Sequence, residues 1–117
     1  IESWDVSSVT NMSGMFGPGN AAIGIYNAES FNQPLNRWDV SNVTNMDSMF
    51  VNATFNQDIS SWDVSSVINM FRMFRDATSF NQDLSSWSVN GVTNCTDFSQ
   101  NTTSWTLPKP TFTNCTP

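Results

Sequence analysis

Apolar and polar positions along the chain follow a phrase that is repeated with small changes. The phrase reads WDVSSVTNMSGMF at 4–16, WDVSNVTNMDSMF at 38–50 and WDVSSVINMFRMF at 62–74. Trp recurs at 4, 38, 62, 87 and 105, so that the units follow one another at intervals of about 25 residues. A period of this size is typical of solenoids, in which each unit buries its apolar edge against its neighbours.

The spacing of apolar residues changes halfway through each unit. The Trp-x-Val part alternates with a period of two, which predicts a short strand with one buried face. Met46, Met49 and Phe50 then stand at i, i+3 and i+4, as do their counterparts in the next unit, which predicts a short helical turn. We therefore expect an α/β repeat solenoid, leucine-rich-repeat-like, with one short parallel strand and one short helical turn per rung.

The departures from the period predict how the chain is divided. Residues 1–95 form the repeat solenoid of about four rungs, and an insertion at 17–30 lengthens the first rung. This insertion holds the single Tyr of the chain, Tyr26, and is interpreted either as a neutral surface loop or as a binding loop. Residues 96–117 contain three prolines and are predicted to form a C-terminal capping turn, because a solenoid needs an atypical end to cover its core.

The two cysteines belong to this predicted cap. The tetrapeptide TNCT occurs at 93–96 and again at 113–116, which places Cys95 and Cys115 at the same phase one turn apart. Adjacent parallel rungs lie about 4.8 Å apart, within the ~4.4 to 6.8 Å between Cα atoms that a disulfide spans. The sequence therefore predicts a disulfide-stapled cap and an oxidising compartment, with a reduced pair as the alternative.

The side chains that alternate with the buried Trp and Val are predicted to point away from the core. Partners of solenoids commonly contact the surface lined by the parallel sheet, so these side chains are the candidate binding surface. Carboxylates repeated on successive rungs repel one another unless solvent, Arg37 or a cation lies between them. A calcium ion bridging two of the carboxylates of Asp5, Asp39 and Asp63 is one hypothesis, and solvated aspartates are the alternative. The candidate surface consists of Ser3, Asp5, Arg37, Asp39, Ser61, Asp63, Ser86 and Ser88.

Three further patterns have structural or chemical interpretations. The Trp column is read as core packing, with an exposed aromatic platform for sugars as the alternative. The Phe-Asn-Gln motif at 31–33, 55–57 and 80–82 predicts a column of amides that satisfy backbone groups of the loops. Asp47-Ser48-Met49 resembles a short bacterial O-glycosylation signal, which makes Ser48 a candidate glycan site.

Composition excludes several classes of function. The net charge is −6 with only four basic residues, which disfavours binding to nucleic acid or to an anionic membrane surface. No apolar run approaches the roughly 20 residues of a membrane helix, so direct membrane insertion is not expected. Histidine is absent, and no nucleophile motif or phosphate-binding glycine loop occurs, so we expect neither an enzyme nor a cofactor other than calcium.

Residues 1–95 resemble the BspA-like leucine-rich-repeat surface proteins, in particular the branch with WDVSNVTNMSxMF and SFNQDxSxW repeats found in bacterial surface proteins and mycoplasma lipoproteins. Ile59-x-x-Trp62-x-Val64 falls on the leucine-rich-repeat motif LxxLxL, whereas Val67 stands where that family usually has Asn. The resemblance implies a secreted or surface-anchored module for binding or adhesion, without enzymatic activity.

Together these observations predict a non-catalytic extracellular module for adhesion or recognition, whose partner is a protein or a glycan on another surface. The strand motif at Ile1 has no visible cap before it, so further repeats are expected on its N-terminal side in a longer parent protein. Two alternatives stay open. The repeats could be a purely structural spacer in a surface protein, or a calcium-stabilised carbohydrate-binding solenoid.

Overall fold

The chain folds as a stack of similar coils built almost entirely from turns. The computed structural model describes residues 1–18 and 28–117, so that Tyr26 and most of the predicted insertion lie outside the described residues. The phrase occupies the same place in each coil, and isolated parallel bridges join it from one coil to the next: Asn11 to Asn45, Asn45 to Asn69, and Asn69 to Asn94. We number four units and a terminal segment, with bounds 1–34, 35–58, 59–83, 84–101 and 102–117.

The predicted helical turn is wrong, and with it the α/β leucine-rich-repeat-like solenoid, because residues 1–18 and 28–117 contain no helix. Ser48 and Arg72 lie in the middle of the expected helical turns with φ of 57° and 54°, and left-handed residues interrupt a right-handed helix. The amides there donate to the next unit instead of to a carbonyl four residues earlier. The Ser48 N–H donates to the carbonyl of Phe71 at 2.9 Å, and the Phe50 N–H to that of Met73 at 2.8 Å.

The predicted parallel strand is also wrong, since the described part of the chain has no strand beyond the three isolated bridges. Side chains do alternate as expected, with Trp38 and Val40 buried and Asp39 exposed. The backbone on either side nevertheless turns, because the Trp38 N–H donates to Leu35 at 3.1 Å and the Val43 N–H to Val40 at 3.0 Å. A period of two in the sequence shows which side chains face inward. It does not show that the backbone pairs with a neighbouring strand, and here the alternation occurs without such a strand.

One continuous core runs through the stack. The apolar positions of the phrase are almost completely buried in the second and third units, where Met49, Phe50, Met73 and Phe74 are each 0% exposed. Equivalent rings lie face to face from unit to unit: the centroids of Phe16 and Phe50 are 5.4 Å apart, and those of Phe50 and Phe74 are 5.3 Å apart. The core interpretation of the phrase is therefore confirmed, although its backbone differs from the expected one.

The Trp column both fills the core and ties each unit to the previous one. The indole N–H of Trp62 donates to the carbonyl of Leu35 at 2.9 Å, and that of Trp87 donates to Ile59 at 3.0 Å. Four of the five Trp side chains are buried, which confirms core packing for them and excludes a sugar platform at those positions. Trp4 is the exception, with 56% of its surface exposed.

The Phe-Asn-Gln motif forms the predicted column of amides. Asn32 accepts the backbone N–H of Asn56 on its side-chain oxygen at 2.9 Å, and Asn56 accepts that of Asn81 at 2.9 Å. The side chain of Gln57 adds a bond to the Asn32 amide oxygen at 3.1 Å. These amides satisfy backbone donors that the loops would otherwise leave without a partner, which is the structural role expected of them.

The terminal segment covers the last unit. The predicted disulfide is confirmed: Cys95 and Cys115 are bonded, with their Cα atoms 5.9 Å apart. The ring of Phe112 packs edge-on against Phe98 at 4.9 Å, and the N–H of Leu84 donates to the carbonyl of Pro108 at 2.9 Å. No helix long and apolar enough to cross a membrane is present in the described ranges.

Candidate recognition surface

The eight residues of the predicted binding surface are all exposed, and they recur at equivalent positions of stacked units. They lie beside the buried Trp of each unit, in turns or in the irregular segments between them, instead of on the expected strands. We call this set the polar face. Its members are Ser3, Asp5, Arg37, Asp39, Ser61, Asp63, Ser86 and Ser88.

Each aspartate of the polar face is held by the serine two residues later. In the second unit, one carboxylate oxygen of Asp39 accepts both the backbone N–H of Ser41 at 3.0 Å and its hydroxyl at 2.6 Å. The hydroxyl and amide of Ser41 lower the pKa of Asp39, because they stabilise its charged form. The same pair of bonds forms at Asp5 and at Asp63, so the carboxylates are fixed in direction by their own turns.

The negative charges of these carboxylates also repel one another from unit to unit. The charges of Asp63 and Asp5 act to raise the pKa of Asp39, against the stronger lowering by Ser41. Asp39 therefore lies between its two counterparts in an acidic column. Within residues 1–18 and 28–117 no group of three Asp, Glu, Cys or His side chains converges in a way that could hold a metal ion. The three aspartates are thus aligned and are not gathered around one point.

Two serines of the polar face help to hold the stack together. The hydroxyl of Ser61 donates to the carbonyl of Asn36 in the previous unit, and that of Ser86 donates to Ser60, each at 3.3 Å. Asn42 similarly donates from its side chain to the carbonyl of Ser7 at 2.8 Å. Side-chain bonds of this kind take the place of the strand ladder that was expected here.

The fourth unit departs from the others where Ser88 replaces aspartate. Its phrase reads Ser88-Val89-Asn90-Gly91-Val92, and the turn falls on Asn90 and Gly91. The Val92 N–H still donates to Val89 at 3.1 Å, like its counterparts in earlier units. The turn thus forms without an aspartate, and the acidic column ends at the third unit.

A second set of aspartates was missed by the sequence reasoning. Asp58 and Asp83 accept the N–H of the serine two residues later, Ser60 and Ser85, and the pKa of each is lowered mainly by the hydrogen bond with that serine. The signal was available, since Asp-x-Ser occurs six times in the chain, and in five of the six the serine N–H donates to the aspartate carboxylate. From the sequence, the aspartates were interpreted only as exposed side chains. In the structure, the Asp-x-Ser tripeptide forms a local turn.

Two ion-paired arginines on the third unit were also missed. The guanidinium of Arg72 lies over the ring of Phe71 at 4.5 Å and pairs with Asp97 of the next unit at 3.8 Å. Arg75 pairs with its neighbour Asp76 at 3.6 Å. The repeated phrase does not predict these arginines, because the corresponding positions of the other units carry no arginine.

The remaining candidate residues are not brought to the polar face by any described contact. Ser48 is half-buried in a turn, and its hydroxyl donates to the carboxylate of Asp47 at 2.6 Å. Its role as a glycan site stays a prediction, and Tyr26 falls outside the described residues. Cys95 is fully buried in the disulfide, which makes it a structural residue of the capped end.

Comparison with known proteins gives a family and no individual relative. No curated protein and no solved structure matches the chain. A family profile matches residues 1–112, and it covers all four units and most of the terminal segment. The chain belongs to this repeat-containing family, which is described as "Mycoplasma protein of unknown function, DUF285".

Proposed function

We propose that the chain is a non-catalytic surface module that recognises a protein or a glycan through its polar face. In finer detail, the module is of the BspA-like surface type that the repeats resemble. The observation that carries the proposal is the acidic column, in which three exposed carboxylates are repeated in register and fixed by serine hydrogen bonds. Side chains fixed before binding lose little conformational freedom when a partner is bound, which favours recognition.

The charge of the polar face favours a cationic partner. Asp5, Asp39 and Asp63 are opposed there by Arg37 alone, and the chain as a whole carries a net charge of −6. Complementary potentials speed the encounter of two surfaces and select among partners. A basic protein surface, or a glycan that carries amino groups, therefore matches the face better than an acidic one.

An extracellular location is part of the proposal and is supported by the disulfide of the terminal segment. Disulfides persist in oxidising surroundings and are rare in reducing ones, so the bond between Cys95 and Cys115 fits a secreted or surface-exposed protein. The same bond protects the end of the stack at which the core of the fourth unit would otherwise meet solvent.

A charge-removing variant with an intact fold tests the proposal. Asp5→Asn, Asp39→Asn and Asp63→Asn together remove three charges, while each Asn keeps a side-chain oxygen that accepts the serine N–H and hydroxyl. The wild-type chain and this variant are compared on a glycan array and against cells. A matched control replaces Asp58 and Asp83 by Asn, which removes charge outside the polar face.

The proposal expects binding by the wild-type chain that the triple variant loses and the control keeps, with melting temperatures of all three chains within a few degrees. Equal binding by the triple variant would place recognition elsewhere on the molecule. No binding by any of the three chains would favour the alternative of a structural spacer.

A further inference from the structure

The two ends of the stack differ in how well their apolar residues are covered. At the far end, the terminal segment lies over the fourth unit, where Phe98 is 1% and Cys95 0% exposed. At the near end, Ile1 is 42% exposed and Trp4 is 56% exposed. Some apolar residues of the first unit are exposed or only partly buried, although their counterparts in later units are buried. We call these residues the near-end face; they are Ile1, Trp4, Val9 and Met15.

Later units show what covers these positions when they are buried. The counterparts of the near-end face in the third unit are each at most 4% exposed, because the second unit lies against them. Those counterparts are Ile59, Trp62, Val67 and Met73. A unit of the same phrase is thus a cover of the right shape for the near-end face, and the stack itself provides three examples of the fit.

The backbone edge of the first unit has the matching hydrogen-bond pattern. In the second unit, the carbonyls of Asn45, Asp47 and Met49 each accept an N–H from the first unit at 2.8 to 2.9 Å. Among the described residues, nothing donates to the corresponding carbonyls of the first unit, those of Asn11, Ser13 and Met15. The edge therefore offers a row of three acceptors at alternate residues.

The same edge also carries two donors without acceptors in the described ranges. The amide of Thr10 corresponds to the amide of Ile68, which donates to Thr44 of the previous unit at 2.9 Å. The indole N–H of Trp4 corresponds to that of Trp62, which donates to Leu35 at 2.9 Å. A partner must thus supply three donors and two acceptors in this order, besides an apolar surface.

We propose that the near-end face is a docking surface for a further unit of the same repeated phrase. Such a unit supplies three donors through the amides equivalent to Met46, Ser48 and Phe50, and it covers the Trp4 indole as the second unit covers that of Trp62. This inference concerns assembly of the stack and does not depend on the proposed recognition function.

A second copy of this chain does not fit the near-end face. If two near ends met about a twofold axis, rows of carbonyl acceptors would face each other, and acceptors do not pair with acceptors. A head-to-tail arrangement would need the free edge of the fourth unit. The apolar residues at that edge are covered by the terminal segment, where Phe112 packs edge-on against Phe98 at 4.9 Å and Cys115 is bonded to Cys95.

The test adds one unit to the full chain. A copy of residues 59–83 is placed directly before Ile1, which makes the junction read FNQDIESW, close to the chain's own FNQDISSW at 55–62. Phe replaces Trp62 in the copy, so that five indoles remain. A matched control carries Met70→Ser, Met73→Ser and Phe74→Ser in the copy, which removes the apolar residues needed for stacking. Hydrogen exchange of the Trp4 indole is measured by NMR, with Trp4→Phe assigning the resonance.

The proposal expects exchange of the Trp4 indole to slow by about 100-fold or more in the extended chain, because exchange then requires opening of the stack. In the control it should stay as fast as in the original chain, and only the extended chain should melt at a higher temperature, by about 5 °C. Unchanged Trp4 exchange in the extended chain overturns the proposal. So does concentration-dependent protection of Trp4 in the original chain together with a doubled mass by light scattering, since a second copy would then be the occupant.

Discussion

Replacing a buried Trp by Phe should show that the Trp column ties the units together. Trp62→Phe removes an indole N–H that donates to the carbonyl of Leu35 at 2.9 Å, at a side chain only 4% exposed. It also shortens a ring that lies parallel to that of Trp87, at 6.4 Å between centroids. Trp4→Phe is the matched control, because it makes the same chemical change where the indole is 56% exposed.

The expected cost of Trp62→Phe has two parts. Loss of the hydrogen bond costs about 1 kcal/mol, since the Leu35 carbonyl keeps the Trp38 N–H at 3.1 Å and is not left without a partner. The smaller ring removes two to three buried atoms, which costs about 2 kcal/mol at roughly 0.8 kcal/mol for each. Trp62→Phe should therefore lower the free energy of unfolding by about 3 kcal/mol, and Trp4→Phe by less than about 0.5 kcal/mol.

Urea unfolding followed by circular dichroism under non-reducing conditions measures both values in one series. The midpoint should fall in Trp62→Phe with an unchanged slope, because the same surface is exposed on unfolding. Equal losses of stability in the two variants would show that the buried and the exposed indole contribute alike, contrary to this expectation.

Three further outcomes are expected. Cys115→Ala should lower the free energy of unfolding by about 3 kcal/mol, because the bond to Cys95 closes a loop with a sequence separation of 20; adding a reductant should have the same effect on the wild type and none on the variant. Ser48→Gly should stabilise the chain and Gly14→Ala should destabilise it, each by about 1 kcal/mol in thermal unfolding. Both residues have left-handed φ, 57° and 66°, which glycine adopts without strain. Melting temperatures of the two variants equal to that of the wild type would contradict this. The melting temperature should decrease when the pH is lowered below about 4. Serine hydrogen bonds hold the pKa of five aspartates below their ordinary 3.8, and the stability that comes from a lowered pKa is lost as the pH falls through the folded value. Asp39→Asn should make this decrease smaller.

The sequence was informative about which side chains are buried and much less so about the backbone that buries them. The i, i+3, i+4 spacing of Met46, Met49 and Phe50 placed all three in the core, where they are 0% exposed. It could not distinguish a helical turn from a turn with Ser48 in the left-handed region, because both return side chains to the same face. The direction of the Ser48 amide decides between them, and apolar spacing carries no information about it.

The candidate surface was predictable for a similar reason. Alternation with buried Trp and Val identified the exposed residues correctly. It did not identify the hydrogen bonds that these residues make, because alternation reports only which side chains face solvent. Asp39 was read as a residue available for a partner, and one of its oxygens is already bound by Ser41. The pairing of Cys95 with Cys115 was predictable because it needs only the phase of the repeat.

In the described residues, the repeated phrase joins units through backbone hydrogen bonds between turns, and not through helices or strands. Scalar couplings across hydrogen bonds, measured by NMR between amide nitrogen and carbonyl carbon, identify the acceptor of each amide. We expect couplings from Ser48 N to the Phe71 carbonyl carbon and from Phe50 N to the Met73 carbonyl carbon. Couplings from these amides to carbonyls four residues earlier, as in an α-helix, would contradict this expectation.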